Sequence, residues 1–85
     1  MTTELHDPIR QWIRSRNKRL AATLQITPEL DLLENRLVDS LGFVDFILFL
    51  EDLTGVELRN EAQASIDSFR TLAAIEQTIA RLREG

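Results

Sequence analysis

The segment from Leu37 to Asp52 is too apolar for a helix that buries a single stripe, since ten of its sixteen residues are hydrophobic. Placed at about 100° per residue, Phe43, Phe46, Ile47, Leu50 and Leu53 gather on one side. Leu41, Val44 and Leu48 gather on the opposite side, with Asp45, Glu51 and Asp52 among or beside them. The first face demands a core to bury it. The second, acidic with apolar spots, is not needed for folding and reads as a docking surface. Ser40 stands at the N-terminal end of that surface, where its hydroxyl is expected to cap the free N–H groups of the first turn.

The rest of the chain supplies the walls of a small bundle. Leu5, Ile9, Trp12 and Ile13 form a short apolar stripe, which predicts a first helix over about residues 5 to 22 with Trp12 in the core. Asp7-Pro8 fits an N-cap followed by proline at the first helical position, with an earlier start at Thr3 as the alternative. Pro8 is tolerated near the first turn in either case. From Thr27-Pro28 to Asp39 the expectation is a long ordered loop, with at most one turn of helix. Leu30, Leu33 and Leu37 are its anchors, and Asn35-Arg36 a polar turn with no chemistry assigned.

The second helix is expected from Ser40 to Thr54, ended by Gly55 in the left-handed conformation. Gly42 in its first turn weakens the helix but leaves room beside Ser40. Val56-Glu57-Leu58 reads as a linker that plugs the core. Asn60 is expected to cap a short third helix over about residues 61 to 66, with Ala62 and Ile66 inward. Thr71 is expected to cap the last helix, with Leu72, Ile75, Ile79 and Leu82 at helical spacing and Phe69 packing back like a staple. Arg81 and Arg83 suit its negative end, near Arg83. The sum is an all-α fold: three main helices, one short helix and a long loop between the first two.

Length and composition narrow the function classes. A chain of 85 residues is read as one domain with one modest core. With no cysteine and a single histidine, His6, it has no disulfide framework, no thiolate or histidine-rich metal site and no cysteine nucleophile. No apolar run reaches spanning length and no signal peptide is visible, so a cytoplasmic monomer without membrane attachment is expected. The net charge is −4; residues up to Arg19 carry five basic residues against Glu4 and Asp7, a balance of +3 that leaves −7 for the rest. An acidic body predicts basic partners and no nucleic acid. The run Arg14-Ser15-Arg16-Asn17-Lys18-Arg19 reads as a solvated helix face, or one that meets an acidic surface of a partner or of the same molecule.

Asp39-Ser40-Leu41, the two-faced helix after it, the turn Glu51-Asp52-Leu53-Thr54-Gly55-Val56 and a closing amphipathic helix together resemble the acyl carrier protein family, which includes the peptidyl and aminoacyl carriers. The tripeptide alone is weak; the combination, from about Leu32 to Leu82, is specific. Arg59-Asn60 departs from the family, which commonly has Pro or Asp near there.

The resemblance implies that Ser40 carries 4′-phosphopantetheine, attached from coenzyme A by a phosphopantetheinyl transferase that reads Asp39 as well. A phosphodiester at a helix N-terminus would meet free N–H groups and the positive end of the dipole. The arm's thiol would hold an acyl group as a thioester, so the protein would present cargo rather than act as an enzyme. Leu41, Val44, Asp45, Leu48, Glu51 and Asp52 would meet partner enzymes, an acyltransferase, ketosynthase or adenylating ligase. Gly42, where fatty-acid-synthesis carriers usually have an acidic residue, favours a free-standing carrier of polyketide or other specialised biosynthesis. An aminoacyl or peptidyl carrier of the D-alanyl type is the runner-up.

Two other classes compete. Ser40 as a hydrolytic nucleophile lacks a nearby base and the nucleophile-elbow spacing, because the residue two before it is Val38. An unmodified helical interaction module, with Ser40 a plain cap, remains the contrasting alternative. Asp45, Glu51 and Asp52 do not have the spacing of an oxygen cage for a metal.

Overall fold

The computed structural model describes residues 5–18 and 25–84. Among them are four α-helices and no strand: α1 (His6–Arg16), α2 (Phe43–Thr54), α3 (Arg59–Ala64) and α4 (Leu72–Glu84), with a 3-10 helix, Ile66–Phe69, before α4. The all-α bundle expected from the periodicity is therefore what the chain forms. Its core joins Ile9 and Ile13 of α1, Phe46, Ile47 and Leu50 of α2, and Leu72, Ile75 and Ile79 of α4. Trp12 lies at the edge of that core, stacked on Phe49 with ring centroids 5.4 Å apart and tilted against Phe46 at 5.2 Å.

Helix α1 begins at His6, so Asp7 is its second residue and not its cap. Proline at the next position needs no N–H there, which fits the earlier start. Asn17 ends the helix. Its Nδ2 donates to Ile13 O at 3.0 Å and to Leu37 O at 2.6 Å, which ties α1 to the segment before α2. The expected helical residues 19–22 lie outside the described residues, as does Thr3.

Residues 25–39 carry turns and no helix. Their anchors run deeper than Leu30 and Leu33, which are only partly buried: Ile26, Leu32, Leu37 and Val38 are all buried. Asp31 organises the turn that follows. Its carboxylate accepts the N–H groups of Leu33 and Glu34 and, from the far end of the chain, the Arg70 guanidinium at 2.9 Å. Leu32 N donates to Arg70 O and Ala73 N to Pro28 O, so the segment is fastened to the start of α4 by backbone bonds as well. The turn closes at Arg36 with φ +60°, a left-handed conformation that costs a residue with a Cβ.

Gly55 ends α2 in the expected left-handed conformation, φ +71°. Leu58 is fully buried and Val56 packs on the core, as a plugging linker should. The third helix starts earlier than expected, at Arg59, so Asn60 lies in its first turn rather than capping it. Ile66, expected inward, is 46% exposed, because it opens a separate 3-10 helix whose buried residue is Phe69. Leu53 is likewise exposed, one residue from the end of α2, where the neighbouring elements no longer cover that face. Thr71 Oγ1 accepts the N–H of Ala74 at 3.0 Å, the capping bond expected for α4.

Candidate functional site

The turn over residues 40–42 leads into α2, whose regular part starts at Phe43. The side chain that caps this turn is Asp39 and not Ser40: Asp39 Oδ1 accepts the Gly42 N–H at 2.6 Å. Both residue types are good caps, and the carboxylate adds attraction to the positive end of the helix. Gly42 eases that contact, since a Cβ there would lie a tight 3.1 Å from Asp39 Oδ1. The room at Gly42 is thus used by Asp39.

With Asp39 doing the capping, the Ser40 hydroxyl has no hydrogen-bond partner among the described residues, and Ser40 is exposed. The chain's single imidazole is engaged elsewhere: His6 Nε2 lies 2.6 Å from Glu76 Oε2, between α1 and α4. No side chain of the described residues is hydrogen-bonded to the Ser40 hydroxyl as a base would be.

The predicted docking face divides. Leu41, Val44 and Leu48 are 89%, 62% and 46% exposed, a row of apolar side chains running from Ser40 down α2. Asp45 and Asp52 are exposed beside them. Asp45 pairs with Arg16 at 3.3 Å, and Arg16 also lies over the Trp12 ring, 4.4 Å from its centroid. One residue of the basic run, Arg16, thus meets the acidic body of the same molecule. Glu51 was predicted on the docking face and belongs to the scaffold instead. Its carboxylate accepts the N–H of Leu58 at 2.8 Å and of Arg59 at 3.2 Å and pairs with the Arg59 guanidinium. It turns inward to hold the linker, because the free N–H groups at the start of α3 need an acceptor.

Two grooves flank Phe43. One, of about 490 Å³, is lined by Leu33, Arg36, Val38, Asp39, Ser40, Phe43 and Ile66. The other, of about 360 Å³, lies between α2 and α3 and is lined by Phe43, Val44, Ile47, Leu48, Arg59, Ala62 and Gln63. Among the described residues no His, Asp and Glu cluster could hold a metal ion, and no helix is long and apolar enough to cross a membrane.

The two carboxylates that hold the scaffold titrate unusually. Asp31 is held below its ordinary value of 3.8, chiefly by the Glu34 N–H and then by Arg70. Glu51 is held below 4.5, chiefly by the Leu58 N–H and then by Arg59. The unfolded chain therefore takes up these protons at higher pH than the folded one. Their stabilisation is complete above the ordinary values and is lost as pH falls through the lowered ones. Melting temperatures measured from about pH 7 to about pH 2.5 should fall in the acid range. Asp31→Asn and Glu51→Gln should melt lower than the parent at neutral pH and converge with it in acid. A constant gap across the range would remove both carboxylates from the account.

Comparison with protein-family models, with curated proteins and with solved structures gave no match.

Proposed function

We propose that the chain is an acyl carrier domain whose Ser40 is the attachment point for a 4′-phosphopantetheine arm. One observation carries this reading: an exposed serine hydroxyl, free of hydrogen bonds among the described residues, heads a row of exposed apolar side chains that the core does not use. A plain cap would be bonded to the helix it caps. Here Asp39 does that work and the hydroxyl is left to react.

The residues fit the group. Ser40 offers an oxygen that a visiting enzyme can reach, and Ser40 is among the residues that line the adjoining groove. In the loading step the Ser40 oxygen attacks the pantetheine-side phosphorus of coenzyme A. The bond to 3′,5′-ADP breaks, and the hydroxyl proton passes to a base of the transferase. When attached, the arm supplies a thiol that holds an acyl group as a thioester. Leu41, Val44 and Leu48 offer a dry contact to partner enzymes, while Asp45 and Asp52 steer basic surfaces onto it. Gly42, in place of an acidic residue, supports polyketide or other specialised biosynthesis as the setting, with an acyltransferase or ketosynthase as the partner.

The test is an intact mass after incubation with coenzyme A and a promiscuous phosphopantetheinyl transferase. A single phosphopantetheine adduct is expected on the parent and none on Ser40→Ala. An unchanged mass with several transferases would favour an unmodified interaction module.

A further inference from the structure

Two exposed side chains of the groove beside Ser40 lie outside the buried core. Arg36 is exposed, and of the arginine side chains in residues 25–84 its guanidinium alone has no hydrogen bond or ion pair among the described residues; Arg59, Arg70, Arg81 and Arg83 are all engaged. Ile66 is a large apolar side chain left 46% exposed. Both line the groove that Ser40 opens onto, with Leu33, Val38 and Phe43 forming its apolar wall. The groove's volume of about 490 Å³ lies in the range of about 300–1,000 Å³ usual for small-molecule sites.

We infer that Arg36 is a positioning residue that binds the phosphodiester on Ser40 and lays the attached arm along the groove toward Ile66. The inference rests on the carrier reading. Its basis is charge and the supply of donors. A phosphodiester on Ser40 stands next to the Asp39 carboxylate, which repels it. The Gly42 N–H, a donor that a phosphate at a helix start would use, already belongs to Asp39. A cation must come from elsewhere, and Arg36 is the uncommitted one in the same groove. Its guanidinium can give paired hydrogen bonds to phosphate oxygens. The turn that presents it is held by Asp31, whose carboxylate bonds fix residues 33 and 34.

The test uses protein loaded at Ser40 and checked by intact mass, read by phosphorus NMR. In the parent the phosphodiester resonance should be displaced from its position in the same sample unfolded in urea. The displacement should shrink as salt rises to about 1 M, where the screening length is about 3 Å. Arg36→Asn suits the left-handed backbone and removes the charge. It should lose most of the displacement and its salt dependence, while Arg36→Lys keeps part. In the parent, the Arg36 Nε–H signal should shift on loading and stay put in Ser40→Ala exposed to the same reagents. That signal decides the matter even if a variant folds poorly. A loaded Arg36→Asn protein whose phosphorus signal matches the parent's would overturn the inference and leave the carrier reading standing. Absence of any adduct on the parent would overturn both.

Discussion

Phe46→Ala should leave the bundle barely stable, with a loss of about 3–5 kcal/mol. Phe46 has no exposed surface, lies on α2's inner face and packs tilted against Trp12 from α1. A domain of this length has a total stability of about 4–13 kcal/mol, so one ring removed takes a large share. The melting temperature should fall on the order of 15–30 °C. Leu53→Ala on the same helix is the control. Periodicity puts both residues on one face, but Leu53 is exposed at the end of α2, and its loss should cost less than about 1 kcal/mol. Thermal or urea melts of the two variants decide this. Equal losses would mean that α2 is rotated or extended differently against the bundle.

That pair also shows where reading a sequence stops. Helical spacing picks out Phe46, Ile47, Leu50, Leu72, Ile75 and Ile79 because neighbours cover those positions along the middle of each helix. At the ends, coverage depends on which other element passes by, and spacing says nothing of that; Leu53 and Ile66 were misplaced for this reason. Local chemistry did better where only one arrangement was open, as with Gly55 and the Thr71 cap. At Asp39-Ser40 two good caps are adjacent, and only geometry selects the carboxylate. Glu51 and Asp31 lay beyond reach for a different reason. Their partners are Leu58 and Arg59 in one case and Arg70 in the other, up to 39 residues away, and no local pattern announces such a bond. The candidate site was legible as Ser40 and the apolar row on α2. The groove with Arg36 and Ile66 was not, since it is assembled from three separate stretches.

The second large effect separates folding from function. Leu41→Glu should leave stability within about 0.5 kcal/mol of the parent, because the side chain is 89% exposed and removes nothing from the core. On the carrier reading the same change puts a charge in the dry centre of every partner contact, one residue from the loaded hydroxyl. Central apolar anchors of an interface are worth about 2 kcal/mol or more, which corresponds to a fall of roughly 30-fold or more in kcat/KM for transferase loading. Leu48→Glu, two turns down the helix, should weaken loading less. Asp52→Lys should chiefly slow encounter, an effect that vanishes at high salt. Loading rates for the three variants, set against their melting temperatures, test the face as a whole. A carrier whose Leu41→Glu form is loaded as fast as the parent would have its docking surface elsewhere, and the apolar row on α2 would again lack an explanation.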